Sequence, residues 1–155
     1  MSYQAKVLIV SDSVMRGERV DASGPAVVQA LQAAGFEVLE QSTVADGAAS
    51  VAGDLARMSS AFTGLVATTG GTGFGPRELT PEGTAEVIDR HAPGLAEVMR
   101  RSSPVAPLSR GIAGVRGHTL VINLPGSPTG AVECLTAVLP LLPHALGILA
   151  GEQPH

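Results

Sequence analysis

TTGGTGFGPRELTPE, residues 68–82, is the stretch around which the rest of this chain is organised. The apolar residues 65–67 lead into it and indicate a buried strand, after which four glycines follow within six residues. Thr80 then suits a helix N-cap, and Pro81 suits the first helical position because its missing N–H would have no partner there. A strand, a glycine loop and a helix in this order present backbone N–H groups to an anion. A plain glycine-rich turn is an equally good interpretation of the stretch alone.

Length and composition predict one domain over residues 1–155. Hydrophobic residues make up 45% of the chain and aromatic residues 3%, so the core must be built from Ala, Val, Leu and Ile. The net charge is −4, and the basic residues are scattered without an aromatic stacking platform. This pattern argues against nucleic acid as a partner.

No targeting or membrane segment is evident in the sequence. The first residues run directly into a strand-like segment, so no signal peptide is expected. The longest apolar region, residues 137–150, contains Pro140 and Pro143 and is shorter than the roughly 20 residues that span a bilayer. Cys134 has no cysteine partner and lies in an apolar helical stretch, which favours a packing role. We therefore expect a cytoplasmic protein without a membrane partner.

Strand-like and helix-like segments alternate along the chain, which predicts an α/β fold. The expected fold is a three-layer sandwich with a mostly parallel central sheet and helices on both faces, Rossmann-like in outline. Gly35 is expected to end the first helix, and Glu86 and Arg90 lie at ion-pair spacing in the third. The predicted strands are residues 6–10, 36–44, 64–69, 112–115 and 119–124, and the predicted helices are 24–34, 48–60, 81–90, a short one near 99–101, and 130–142.

The conspicuous polar motifs follow the ends of predicted strands. Ser11 and Asp12 follow the first strand, Asp46 follows the second, the glycine loop follows the third, and Pro125-Gly126-Ser127 follows the last. Ligands of open α/β sheets bind beyond the carboxyl ends of the strands. The sequence therefore predicts one binding site at this edge of the sheet.

Several familiar chemistries are excluded by the motifs. A phosphate-binding P-loop needs Gly-Lys-Ser or Gly-Lys-Thr, which does not occur. The glycines at 71, 73 and 75 do not fit the dinucleotide fingerprint, because the third comes one residue early. The four histidines fall outside the motifs, and no Cys/His group has zinc spacing. Carboxylates in the loops (Asp12, Asp21, Asp46 and Glu78) indicate magnesium with phosphates, although each alone is also a typical helix cap or solvated residue.

The glycine stretch also resembles the signature of the MogA and MoaB molybdenum cofactor biosynthesis family, which includes the G domains of gephyrin and its plant counterpart. Four further motifs, in the same order, carry the resemblance: SDS at 11–13, DASGP at 21–25, LSR at 108–110 and NLPGSP at 123–128. The resemblance implies binding of molybdopterin. It also implies that the terminal phosphate of molybdopterin attacks the α-phosphate of ATP, giving adenylylated molybdopterin and pyrophosphate with the help of Mg²⁺.

The resemblance implies roles for particular loop residues. Asp46 and Glu78 are expected to be the catalytic residues and the magnesium ligands. Ser109 and Arg110 are expected near the pterin, and a polar turn is an equally good interpretation of them. Ser127 is expected at the substrate, and its alternative role is to cap the last helix. The expected substrate- and nucleotide-binding residues are Ser11, Asp12, Ser23, Gly24, Thr69, Gly70, Gly71, Thr72, Gly73, Arg77, Ser109, Arg110, Pro125, Gly126 and Ser127.

One position departs from the family pattern. The family usually has Arg-Asp before its Thr-Pro-Glu element, whereas this chain has Arg77-Glu78. Glutamate keeps the charge but moves the carboxylate outward by one methylene, and magnesium demands near-octahedral geometry. Two hypotheses therefore stand: a molybdopterin adenylyltransferase, and a MoaB-like protein that binds or delivers molybdopterin without turnover. The resemblance also implies a homotrimer or homohexamer and a molybdenum-inserting MoeA-like partner.

Overall fold

The computed structural model describes residues 2–153. Residues 1, 154 and 155, and with them one of the four histidines, lie outside the described part, so the single domain over 1–155 stays a prediction. The strands within residues 2–153 are β1 Gln4–Val10, β2 Glu37–Val44, β3 Gly64–Thr69, β4 Arg90–His91, β5 Ala113–Arg116 and β6 Thr119–Leu124. The helices in the same part are α1 Asp12–Met15, α2 Ser23–Ala33, α3 Ala48–Ser59, α4 Thr80–Val87, α5 Pro93–Arg100, α6 Pro128–Val138 and α7 Leu142–Leu149, with 3-10 turns at Ala106–Leu108 and Leu139–Leu141.

The strands of the described residues form one mixed sheet in the order β2-β1-β3-β6-β5-β4. β1 pairs in parallel with β2 and β3, and β3 pairs in parallel with β6. β5 runs antiparallel to β6, and the two-residue edge strand β4 runs antiparallel to β5. The sheet is mostly parallel, which confirms the predicted fold class.

Helices cover both faces of this sheet. Val7 and Ile9 of β1 point into a hydrophobic cluster shared with α2, α5, α6 and α7. Leu8 and Val10 point the other way, into a cluster built mainly with α3. Alternate residues of a strand face opposite sides, so an apolar run without alternation is buried on both faces. The three-layer arrangement is thereby confirmed.

Gly35 ends α2 as predicted. Its φ is +93°, and its N–H donates to the Gln32 carbonyl at 3.0 Å. The N–H of Phe36 donates to the Leu31 carbonyl, also at 3.0 Å, which closes the helix end with the paired bonds typical of a glycine terminus.

The third predicted helix is too long by three residues. α4 ends at Val87, and Arg90 lies in β4 instead. Backbone N–H groups on either side of β4 donate to β5: Asp89 to the Val115 carbonyl at 2.7 Å and Ala92 to the Ala113 carbonyl at 2.8 Å. The predicted helical spacing of Glu86 and Arg90 is therefore wrong, because strand pairing takes over from the helix.

The C-terminal helical run is longer than the helix over residues 130–142 that the sequence predicts. A helical run of 22 residues, Pro128–Leu149, is long and apolar enough to cross a membrane by length and composition alone. Pro140 and Pro143 do not end it, because each lies in the first turn of a new helical segment, where proline is tolerated. Leu135 and Leu142 are fully buried in the cluster shared with the sheet, while 33% of the most apolar window of the run is buried.

Candidate functional site

Loops from four strands meet beyond the carboxyl ends of the parallel strands. The loops after β1 and β2 are joined by reciprocal hydrogen bonds between Asp12 and Asp46: each N–H donates to the other's carboxylate, at 3.0 and 3.1 Å. The loops after β3 and β6 are joined where the Gly70 N–H donates to the Leu124 carbonyl at 3.1 Å. The Thr69 hydroxyl donates to the Pro125 carbonyl at 2.7 Å. The predicted convergence of these motifs on one edge is confirmed.

Two glycines allow the backbone to turn closely against its neighbours. Gly70 has a φ of +100° and Gly71 a φ of +69°. A Cβ on Gly70 would collide with the carbonyl oxygen of Val10, and a Cβ on Gly71 would collide with Thr80 Oγ1 and lie 3.1 Å from Asp46 Oδ1. Any other residue would be strained at these φ values and would clash, so glycine is required.

Thr80 does not cap α4, contrary to the sequence prediction. The N-cap position is Leu79, which makes no side-chain capping bond, and Pro81 is the second helical residue, one position later than predicted. Thr80 is completely buried, and its hydroxyl donates to the Gly70 carbonyl at 2.9 Å. Its N–H donates to the Gly71 carbonyl at 3.0 Å. Thr80 thus fixes the start of α4 to the glycine loop.

Arg77 is held against the aspartate pair. Its Nε donates to Asp12 Oδ2 at 2.7 Å, and its Nη2 donates to Asp12 Oδ1 at 3.1 Å and to the Asp46 carbonyl at 2.9 Å. The hydrogen bonds from the Arg77 guanidinium hold the pKa of the Asp12 carboxyl below its usual range. Arg77 remains 64% exposed, although Asp12 occupies one edge of its guanidinium.

Two adjoining cavities lie above this edge of the sheet. The first, about 640 Å³, has walls that include Asp46, Gly70 and Gly71. The second, about 360 Å³, has walls that include Thr72, Gly73 and Ser109 and an apolar side formed by Val105, Ala106 and Leu108. Glu78, Gly126 and Ser127 line both cavities.

Glu78 bends back over the glycine loop. Its Oε2 accepts a hydrogen bond from the Gly75 N–H at 2.8 Å. The same oxygen lies only 2.7 Å from where a Cβ on Gly73 would be. The extra methylene of glutamate is therefore accommodated by glycines that leave room for the carboxylate.

Ser109, Arg110 and Ser127 all make contacts within the protein. The Ser109 hydroxyl accepts a hydrogen bond from the Gly111 N–H at 3.2 Å. The Arg110 side chain binds the carbonyls of Gly73 and Glu78 and forms an ion pair with Glu82. The Ser127 hydroxyl accepts from the Gly130 N–H at 3.0 Å, so its predicted alternative as the cap of the last helix is confirmed, while it also lines both cavities.

Five expected binding residues are not among the described residues that line the two cavities: Ser23, Gly24, Thr69, Arg77 and Arg110. Arg77 and Arg110 make the contacts described above. Ser23 and Gly24 both donate to Asp21 Oδ1, at 3.3 and 3.2 Å, and Gly24 packs against Ile9. Thr69 is buried with its hydroxyl on Pro125. Their contact with a substrate stays a prediction.

Comparison with known proteins identifies the family. The family model described as a probable molybdopterin binding domain matches residues 6–144. The chain belongs to this family. The chain is 40% identical over 153 residues to the molybdopterin adenylyltransferase of Helicobacter pylori strain J99, an alignment covering 94% of this chain and 87% of that protein.

Solved structures of the molybdopterin-binding family share the fold over nearly the whole chain. The molybdopterin biosynthesis enzyme MoaB from Thermus thermophilus is 47% identical, with a TM-score of 0.90 and coverage of 97% of this chain and 98% of that one. The molybdopterin biosynthesis Mog protein from Mycobacterium ulcerans is 38% identical, with a TM-score of 0.89 and coverage of 98% and 99%. Both MoaB and Mog proteins are thus similar to this molybdopterin-binding family member.

Sequence reasoning missed two arginines in the wall of the first cavity. Arg16 forms an ion pair with Glu18 at 2.9 Å, and Arg19 donates to the Ser11 hydroxyl at 3.4 Å. Both come just after the short helix α1 that follows β1, at the edge already assigned to the site. Their position after β1 is the feature of the sequence from which both arginines could have been assigned to the site.

The donor set of the first cavity suits magnesium held together with phosphates. Among residues 2–153, no group of three or more His, Cys, Asp or Glu side chains is arranged to hold a metal ion. Asp46 and Glu78 nevertheless line the same cavity with hard carboxylate oxygens. Magnesium typically takes one or two carboxylates and completes its shell with substrate phosphates and water. These two residues therefore fit the ion that the family resemblance implies.

Proposed function

We propose that this protein is a molybdopterin adenylyltransferase, which transfers AMP from ATP to the terminal phosphate of molybdopterin. The single observation that carries the proposal is the pair of adjoining cavities that share Glu78, Gly126 and Ser127 as a common wall. Two polyanionic substrates need two neighbouring pockets, placed so that the phosphate ends of the substrates meet. The identity to the Helicobacter pylori adenylyltransferase supports the same activity.

In this proposal the first cavity holds the nucleotide phosphates. Gly70 and Gly71 bring the backbone close to them without intervening side chains, and Ser127 begins α6, whose N-terminal N–H groups favour an anion. The second cavity holds the pterin, with the apolar side chains of Val105 and Leu108 against the ring system. The reacting phosphates then meet at the shared wall.

The reaction needs alignment and charge screening more than acid–base help. A phosphate monoester has a second pKa of about 6, so its oxygen is already largely ionised near neutral pH. That oxygen forms a new bond to the α-phosphorus of ATP, while the bond from the α-phosphorus to the bridging oxygen breaks and pyrophosphate leaves. Asp46 and Glu78 would hold magnesium, which would supply positive charge to screen the phosphates. Arg77 adds a cation next to this cavity, since it pairs with Asp12 of the cavity wall.

The test is direct conversion. Purified protein is incubated with molybdopterin, ATP and MgCl₂, and adenylylated molybdopterin is separated by chromatography. Product in the wild type and on the order of a hundredfold less in Asp46→Asn supports the proposal. No product from wild-type protein that demonstrably binds both substrates refutes it.

A second candidate function is binding or delivery of molybdopterin without turnover, in the manner of a MoaB-like paralogue. The observation that favours it is the hydrogen bond of Glu78 Oε2 to the Gly75 N–H, which engages the carboxylate with the loop. Glu78→Asp discriminates between the candidates. Appearance of adenylylated product only in the aspartate variant supports the binding function, whereas activity already present in the wild type excludes it.

The cellular setting follows from the same resemblance. We propose a cytoplasmic homotrimer or homohexamer that passes its product to a molybdenum-inserting MoeA-like protein. Sedimentation of the purified protein distinguishes the two assemblies by mass. A binding titration with the MoeA-like protein tests delivery, and Asp46→Asn should bind this partner as tightly as the wild type does.

A further inference from the structure

Arg110 lies at the centre of a set of contacts that tie the glycine loop to α4. Its Nε donates to the Gly73 carbonyl at 2.8 Å, and its Nη2 donates to the Glu78 carbonyl at 2.6 Å. The guanidinium also forms two hydrogen bonds with the Glu82 carboxylate, at 2.7 and 3.2 Å. The Arg110 N–H donates to the Thr72 carbonyl at 2.9 Å, which anchors the same segment by its backbone.

The segment that Arg110 ties down is also held by Arg77, whose guanidinium binds Asp12 and the Asp46 carbonyl. Residues 73–79 form no helix or strand, and Phe74 at their tip is 72% exposed. Arg110 binds this segment at both ends, at Gly73 and at Glu78. Fixing both carbonyls fixes the main chain from which the Glu78 side chain projects into the shared wall.

The charge of Arg110 is already balanced. Glu82 neutralises it, and the hydrogen bonds from Arg110 lower the pKa of the Glu82 carboxyl. Nη1 and Nη2 both donate to Glu82, while Nε and Nη2 reach the two carbonyls. A planar guanidinium with several donors can make such contacts at once, whereas an ammonium is a compact point charge.

We propose that Arg110 is a positioning residue, which holds the carbonyls of Gly73 and Glu78 and thereby keeps the Glu78 carboxylate at the wall between the two cavities. It acts through Glu78 and does not contact the pterin. This inference rests on the proposed function for its catalytic consequence, but its structural content concerns the protein without substrate.

The first experiment measures amide exchange by NMR in the protein without substrate. The Gly75 N–H reports on Glu78, because it donates to Glu78 Oε2 at 2.8 Å. In Arg110→Lys we expect exchange at Gly75 to accelerate on the order of tenfold, since the two carbonyl contacts are lost. Glu82→Gln keeps both carbonyl contacts and should accelerate exchange less than about threefold.

Arg116→Lys is the matched control. Arg116 also donates from a guanidinium to a backbone carbonyl, that of Val87 at 2.8 Å, but it lies outside the glycine loop. It should leave exchange at Gly75 unchanged. Equal acceleration at Gly75 in the Arg116 and Arg110 variants would indicate a general loosening of the fold and overturn the positioning role.

The second experiment separates kcat from KM in the adenylylation assay. We expect Arg110→Lys to lower kcat about tenfold or more while KM for molybdopterin stays within about twofold. A rise in KM with unchanged kcat and unchanged Gly75 exchange would show that Arg110 binds substrate, and the inference would be wrong. If the wild type forms no product, the proposed function fails, and the exchange measurement alone decides whether Arg110 positions Glu78.

Discussion

Gly70→Ala should destabilise the whole protein because of its place between two strands. Gly70 has a φ of +100°, and an added Cβ would collide with the carbonyl oxygen of Val10 at the end of β1. Val10 is buried and ends a strand that is paired on both sides, with β2 and β3, so its carbonyl has little freedom to move. The substitution therefore combines backbone strain with a steric collision.

The two contributions can be estimated separately. Strain from a non-glycine residue at this φ costs about 1–3 kcal/mol. Forcing extra volume into a packed region costs about 1–3 kcal/mol more. Together the two contributions lower the free energy of unfolding by about 2–6 kcal/mol. In a chain of this size each kcal/mol lowers Tm by about 2–4 °C, so Tm should fall by roughly 4–24 °C.

Two other glycines isolate the two effects. Gly17 has a φ of +72° with no atom within 4 Å of its Cβ position, so Gly17→Ala carries strain alone. Gly73 is not in the positive-φ region, and its Cβ would meet the Glu78 carboxylate oxygens at 2.7 and 2.9 Å. That carboxylate ends a flexible side chain and can move. Gly73→Ala should therefore change the free energy of unfolding by less than about 1 kcal/mol while lowering turnover sharply.

Thermal unfolding followed by circular dichroism, together with the adenylylation assay, checks the series. The expected order of Tm is wild type and Gly73→Ala highest, Gly17→Ala lower, and Gly70→Ala lowest. A Gly70→Ala protein as stable as Gly17→Ala would refute the close approach of the glycine loop to β1. Full activity in Gly73→Ala would refute the placement of the Glu78 carboxylate over that loop.

Three further predictions concern single side chains. Asp46→Asn keeps an oxygen that can accept from the Asp12 N–H, so unfolding in urea should change by less than about 1 kcal/mol while turnover is lost; retained turnover would exclude Asp46 as a catalytic residue. Arg77 lowers the pKa of Asp12 below its ordinary value of 3.8, so their interaction stabilises the fold above that pH and is lost as the pH falls through the lower folded pKa. Urea unfolding should therefore weaken more steeply below about pH 4 in the wild type than in Arg77→Gln, and equal slopes would contradict the ion pair. Burial raises the pKa of the Cys134 thiol, so iodoacetamide should label it slowly in the native protein and quickly in urea, as read by intact mass; fast native labelling would show that the thiol is accessible.

The location of the site could be predicted because it depends on chain order and strand direction. Buried apolar runs identified β1, β3 and β6, and parallel strands bring their carboxyl ends to one edge. Asp46 and Gly71 were assigned to that edge from strand order alone. A Cβ added at Gly71 would lie 3.1 Å from Asp46 Oδ1, so the loops after β2 and β3 meet at the edge that the strand order predicts.

The contacts of individual polar side chains were less predictable. Thr80 has the residue type and position of an N-cap, but its hydroxyl binds the Gly70 carbonyl, an acceptor ten residues away in sequence. Arg90 continues a helical pattern, but the edge of β5 offers it backbone partners. In both cases a tertiary hydrogen bond outweighs a local preference worth about 1 kcal/mol or less.

Arg77 and Arg110 show why a motif does not by itself assign a role. Both stand in family motifs beside the glycine loop, and the sequence assigned both to substrate. Arg77 is 64% exposed and its side-chain partner is Asp12, a residue in the wall of the first cavity, so in the proposed function a phosphate bound there would compete with Asp12 for it. Arg110 is less exposed, and its guanidinium is bound to Glu82 and to the carbonyls of Gly73 and Glu78. Releasing Arg110 would leave a carboxylate and two carbonyls without their partner, a cost that a substrate contact would have to exceed. The difference between the two arginines therefore lies in the partners that the folded chain gives them, which their residue type does not reveal.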